Sequence, residues 1–170
     1  MTVKQRARNY EWHDPAEVAR AIFGREHVDW MKATIAGDVP AAPFATTLGM
    51  KAEHAENGHV TFSMDLHEWM ANPVGVVHGG MAATILDSVL TLAVTTRLPR
   101  GKFCTTVDLN VHFVRPMFPT GERVVADGHA VHVGATLCTA EARLIDGRGK
   151  VLAHATGSFA IVDAESVKPR

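Results

Sequence analysis

Residues 81–96 contain ten apolar residues, four Thr, one Ser and a single charge, Asp87. A helix that is apolar nearly all round belongs in a core, not on a surface. Its start is marked by His78-Gly79-Gly80 and its end by Leu98-Pro99-Arg100-Gly101, which predicts a helix over about 79–97. The rest of the chain has to wrap this helix.

The flanking segments have the period of strands. Residues 47–55 and 59–66 surround Glu56-Asn57-Gly58, and Asn-Gly is a strong hairpin signal. After the helix, Val107, Leu109, Val111 and Phe113 alternate with Asp108, Asn110 and His112. Residues 122–133 and 135–145 meet at Gly134, and Asp146-Gly147-Arg148-Gly149 turns into a last strand with Val151, Ala153, Ala155, Gly157, Phe159 and Ile161 on one face. Two strands, one helix and four strands imply an α+β domain with an antiparallel sheet curled round the helix.

Residues 1–42 differ from this pattern. Asp14-Pro15 reads as an N-cap followed by Pro at the first helical position, with Gly24 ending the helix. A second amphipathic segment covers 27–36, with Val28, Met31 and Ile35 on one side, and Gly37 stops it. The prolines of 38–43 mark a linker. The expected organisation is a helical extension over 1–42, a main domain over 43–163 and a tail over 164–170.

Composition excludes several classes. The formal net charge of -1 argues against nucleic acid held through its phosphates. No run of 18 uncharged apolar residues is present, so no membrane span is expected. Lys4, Arg6 and Arg8 lead into Glu11, His13 and Asp14 with no apolar run, so no signal peptide is expected and the cytoplasm is the expected compartment. Cys104 and Cys138 fall in strand-like segments, where free thiols pack as small apolar groups. The ten histidines show no metal-ligand spacing, and His129 and His132 should face opposite sides of a regular strand.

Asp87 is the anomaly. A carboxylate on a buried helix loses hydration, a large cost unless partners replace it. It is either a functional group or a structural Asp satisfied by a nearby hydroxyl or N–H. At the helix start, the first N–H groups lack intrahelical partners and carry positive potential. Gly79 and Gly80 would let a substrate approach that backbone closely, or serve only as a tight turn. Eight residues separate Gly79 from Asp87, about 12 Å of helix at 1.5 Å per residue. One substrate carbonyl cannot touch both in a single chain. If both act on it, they come from two subunits of a C2 dimer. Thr91, four residues after Asp87, shares its face.

The combination Asn72-Pro73-x-Gly75-x-x-His78-Gly79-Gly80, Asp87 in an apolar helix, and the strand from Val107-Asp108 to Arg115-Pro116 resembles the hotdog-fold thioesterases of the phenylacetate-degradation type. The resemblance covers about residues 44–162. It implies hydrolysis of acyl-CoA thioesters at the interface of a homodimer or dimer of dimers. No metal is implied, and no cofactor beyond the CoA of the substrate. Asp87 takes the position of the catalytic carboxylate and the Gly79 N–H that of the oxyanion donor. Asn72 matches a residue that contacts the carbonyl or the water, and His78 shapes the loop beside Gly80. Thr106 matches a strand Ser or Thr and Thr91 a helix Thr used in different members, so that role stays open. Arg115 is expected either to meet a CoA phosphate or to stay solvated, and Arg97, Arg100 and Lys102 either to do the same or to sit at the negative helix end.

Two other classes are compatible with the same fold. A hydratase or dehydratase would need a His, such as His78, to converge with a carboxylate. A non-catalytic acyl-CoA sensor would carry a DNA-binding segment, but residues 1–42 hold Glu11, Asp14, Glu17, Glu26, Asp29 and Asp38, a poor electrostatic match for DNA.

Overall fold

A computed structural model of the chain describes residues 4–167. Helices α1 (Pro15–Phe23), α2 (His27–Ala36) and α3 (Pro43–Leu48) precede strands β1 (Lys51–Glu56) and β2 (His59–Asp65). Helix α4 (Gly79–Thr95) follows, then β3 (Lys102–Phe113), β4 (Arg123–Val133), β5 (Leu137–Ile145) and β6 (Val151–Asp163). The strands form one antiparallel sheet in the order β1-β2-β4-β5-β6-β3. This is the hotdog arrangement, an α+β fold with a sheet curled round one long helix.

The local chemistry explains most boundaries. Asp14 Oδ1 accepts from Ala16 N at 2.8 Å, capping α1 ahead of Pro15. Gly37 closes α2 with φ +85°, a conformation open to Gly at little cost. The Asn57-Gly58 turn joins β1 to β2, with Glu56 paired to His59. A strand was expected from residue 47. Residues 43–48 instead form α3, because Pro43 stands in its first turn and Gly49, at φ +74°, ends it two residues before β1. The buried side of α2 also differs from expectation: it carries His27, Trp30 and Met31, whereas Ile35 is exposed. Ala164–Val167 form a short helical turn, and the last three residues of the expected tail lie outside the described residues.

Helix α4 fills the curl. Ala82, Ile85, Leu86, Val89, Leu90, Ala93 and Val94 are buried against Val60 and Met64 of β2, Ala126 of β4, Leu144 of β5 and Phe159 of β6. The helix–sheet approach is tightest at Gly128 of β4. A Cβ there would stand 2.8 Å from the backbone carbonyl of Val89, and backbone cannot yield as a flexible side chain can. Three hydroxyls of α4 are satisfied within its own turns: Thr84 donates to Gly80 O, Ser88 to Thr84 O and Thr95 to Thr91 O, whereas the Thr91 hydroxyl reaches toward β3.

Two β-bulges reset which side chains face the helix. Val107 interrupts the β3–β6 register between Thr106 and Asp108, so Val107 points outward and is 62% exposed. Cys104 and Thr106 before it then share the helix-facing side with Leu109 and Val111 after it, as their partners Ile161, Phe159, Gly157 and Ala155 require. The simple alternation starting at Val107 would have placed Thr106 on the opposite face. Val131 plays the same part in β4. His129 pairs with Glu141 and His132 with Thr139, so these two histidines share the outer face, contrary to the expectation from unbroken parity.

Candidate active site

The segment entering α4 is held by backbone and side-chain bonds. Asn72 Oδ1 accepts from Val74 N at 3.0 Å and Val76 N at 3.3 Å. Its carbonyl oxygen therefore builds the turn, leaving the amide nitrogen as the group free to meet a ligand. His78 N donates to Met70 O and Val77 N to Met117 O, which fixes the approach to the helix. His78 is the N-cap of α4, and its Nδ1 accepts from Gly80 N at 2.9 Å. Among the described residues, the Gly79 N–H has no acceptor, whereas that of Gly80 is engaged. Phe113 of β3 lies against Gly79: a Cβ at Gly79 would be 3.1 Å from the Phe113 ring. The HGG sequence thus leaves one donor open, at the positive end of a seventeen-residue helix.

Asp87 lies two turns further along the same helix. Thr106 Oγ1 donates to Asp87 Oδ1 at 2.8 Å, and Thr91 Oγ1 lies 3.4 Å from Thr106 Oγ1. The two threonines are consecutive members of one chain of hydroxyls leading to the carboxylate, with Thr106 in direct contact. Asp87 Oδ2 accepts no hydrogen bond among the described residues. Cys104 stands next to this group, its thiol 3.4 Å from Thr91 O and from Thr95 Oγ1. Burial pushes the Cys104 thiol up to about 11, so it remains protonated and is a poor nucleophile at neutral pH.

Asp87, Thr91 and Thr106 line one wall of a cavity of about 350 Å³. The opposite walls are apolar and come from Trp30 and Met31 of α2, Phe44 and Ala45 of α3, Met50, and Phe62 of β2. A carboxylate on the wall of a mostly apolar cavity with a few convergent polar groups has the form of a small-molecule site. The 27–36 periodicity indicated that one side of α2 is buried, but not what it faces.

Other residues lie apart from this group. Arg115 Nη1 donates to Val151 O, in a groove with Glu122, Asp146 and Lys150. Lys102 Nζ pairs with Asp163 Oδ1 at 2.5 Å, so of the basic cluster only Arg97 and Arg100 lack such a partner among the described residues. Asp87 and His78 lie more than two turns apart along α4, so within one chain they do not meet. Both cysteines are free thiols. No helix among the described residues is long and apolar enough to cross a membrane.

The comparisons place this fold among the thioesterases. Residues 74–153 match the thioesterase superfamily. Acyl-coenzyme A thioesterase 13 of Homo sapiens is 32% identical over 101 residues, covering 59% of this chain and 71% of the relative. The phenylacetic acid degradation protein PaaI from Thermus thermophilus superposes with a TM-score of 0.64 at 26% identity, covering 69% of this chain and 97% of that one. The E. coli PaaI protein has the same fold, with a TM-score of 0.69 at 20% identity over 81% of this chain and 95% of that one. The chain belongs to the thioesterase superfamily and is a thioester hydrolase.

The Thr106–Asp87 bond is testable directly. A hydrogen bond to a charged group contributes about 1.5–3 kcal/mol. Thr106→Val should lower kcat by roughly ten- to a hundred-fold with an unchanged circular dichroism spectrum, and Thr91→Val should lower it less. Equal losses in the two variants would remove the distinction drawn between them.

Proposed function

We propose that the protein hydrolyses acyl-CoA thioesters at sites shared between two subunits of a homodimer. The observation that carries this reading is the pairing of an Asp87 carboxylate, oriented by Thr106 at an apolar cavity, with an open Gly79 N–H on the same rigid helix. The roughly 12 Å of helix between them separates two functions that one carbonyl needs together, and a two-fold partner reunites them. In that arrangement the carbonyl oxygen sits at the Gly79 N–H of one subunit. Asp87 of the other delivers the oxygen nucleophile, either its own carboxylate or a water it deprotonates. The C–S bond breaks and CoA leaves as thiolate; the water oxygen joins the acyl carbon, directly or by cleaving the acyl–Asp87 anhydride, and the proton taken by Asp87 passes to the thiolate.

The edge strand supports the dimer. β3 ends the sheet, runs for twelve residues and has no strand on its outer side among the described residues. Val107 and Phe113 on it are exposed. A long unpaired sheet edge is a template for pairing with another strand. The opposite edge, β1, is only six residues long and packs against α2. Joining two β3 strands would continue the sheet and bring the two α4 helices side by side.

The extension has a place in this reading as the far wall of the acyl cavity. Trp30 and Met31 of the extension line it together with Phe44 of α3, and the volume of about 350 Å³ lies at the low end of the roughly 300–1,000 Å³ range of ligand sites. A compact apolar acyl group fits it better than a long chain.

A thiol-release assay over acetyl-, octanoyl-, phenylacetyl- and palmitoyl-CoA tests the proposal. Asp87→Asn should lower kcat by about 10²–10⁴-fold with the fold intact; turnover at the wild-type rate would remove Asp87 from the chemistry. Trp30→Ala should raise the relative activity on the longest acyl group. An unchanged acyl preference would place the acyl chain elsewhere.

A further inference from the structure

The outer face of the sheet, away from α4, carries a second group of interacting side chains. His59 of β2 and His129 of β4 are direct cross-strand partners, and their rings stack with centroids 4.2 Å apart and an interplanar angle of 10°. Asp127, two residues before His129 on β4, reaches both: Oδ1 lies 2.6 Å from His59 Nε2, and Oδ2 lies 3.2 Å from His129 Nε2. One ligand atom from each of the three lies within 4.8 Å of the others. The second nitrogen of His59, Nδ1, is 3.2 Å from Glu56 Oε1.

We propose that His59 Nε2, His129 Nε2 and the Asp127 carboxylate bind a divalent transition metal ion of the zinc type. Imidazole nitrogen with one carboxylate is a donor set that suits zinc, nickel and copper and is poorly matched to magnesium or calcium. The Glu56 contact has the form of an outer-sphere support: a ligating histidine usually donates its other N–H to a carboxylate, which fixes its tautomer and raises its basicity. Two adjacent strands hold the ligands, so little backbone adjustment is needed to bring them to one ion. The surrounding charge favours a dication. Glu56 and His54 lie on β1, and His132 shares the outer face of β4. On β5, Glu141 is the cross-strand partner of His129, and the opposing cations are Arg143, the partner of Asp127, and Arg97, whose side chain lies by Gly58 beside His59 and His129. Solvent supplies the remaining coordination positions, since His59 is half-buried while Asp127 and His129 are exposed enough to admit water.

The spacing along the chain hides this group, because the ligands come from two strands and assemble only through the β2–β4 register.

The test is calorimetric titration of the chelator-stripped full-length protein with zinc chloride, alongside cobalt chloride followed by visible absorption. The expected result is one ion per chain, a cobalt spectrum of low coordination number and a higher thermal midpoint with zinc. His59→Gln and His129→Gln should each weaken binding at least tenfold, with thioester hydrolysis unchanged, and His132→Gln should bind as the wild type does. Absence of saturable binding, or equal binding by wild type and both variants, would overturn the proposal and leave the cluster as a set of His–carboxylate ion pairs.

Discussion

The structure depends on one constraint: a nearly all-apolar helix that carries a single carboxylate must be wrapped on most of its surface. The sheet does the wrapping, and Gly128 sets how closely it can approach, since any side chain there would meet the backbone of α4. Once α4 is enclosed, Asp87 needs a donor that the helix does not supply: Thr84, Ser88 and Thr95 bond to their own turns, and the Thr91 hydroxyl lies against Thr106. Thr106 fills that need across the gap to β3. It can do so only because the bulge at Val107 turns it inward. A local irregularity in one strand therefore determines whether the carboxylate is oriented for chemistry or left exposed to a cavity without support.

The same helix also separates the two ends of the proposed reaction. Its N-terminus leaves the Gly79 N–H open while His78 closes off Gly80. Its middle presents Asp87 to a cavity whose far wall is the extension. Because a helix is rigid at this length, the separation cannot be relieved by bending within a chain. The long unpaired β3 edge and the separation of Gly79 from Asp87 point to the same remedy, a second copy related by a two-fold axis.

Much of this was legible in the residues. The apolar run with Asp87, the Asn57-Gly58 turn, the caps at Asp14 and Gly37 and the order of elements are local signals, and local signals survive in a sequence. What was lost was set by register. The bulges at Val107 and Val131 change the facing of Val107 and His132 without changing composition, so alternation puts both on the wrong face. Pro43 reads equally as a linker residue, because Pro serves both loops and first turns, and only Gly49 six residues later distinguishes them. The buried side of α2 was misjudged because Trp30 and His27 bury together, T-stacked or bonded around Phe103 and each other, in a way that a count of aliphatic residues does not register. The joining of α2 to the cavity is a tertiary fact with no periodic trace.

The composite site can be tested most directly by mixing two inactive chains. Gly79→Pro removes the open N–H while keeping a residue accepted at the first helical position, and His78, at φ -61° and ψ 134°, already has the extended backbone that precedes proline. Asp87→Asn removes the carboxylate. Each variant alone should be nearly inactive. Co-expressed with different affinity tags and purified as the hybrid, they should regain thioester hydrolysis, because one of the two sites then combines an intact Gly79 with an intact Asp87. A hybrid dimer as inactive as its parents would contradict the account and return both groups to a single chain.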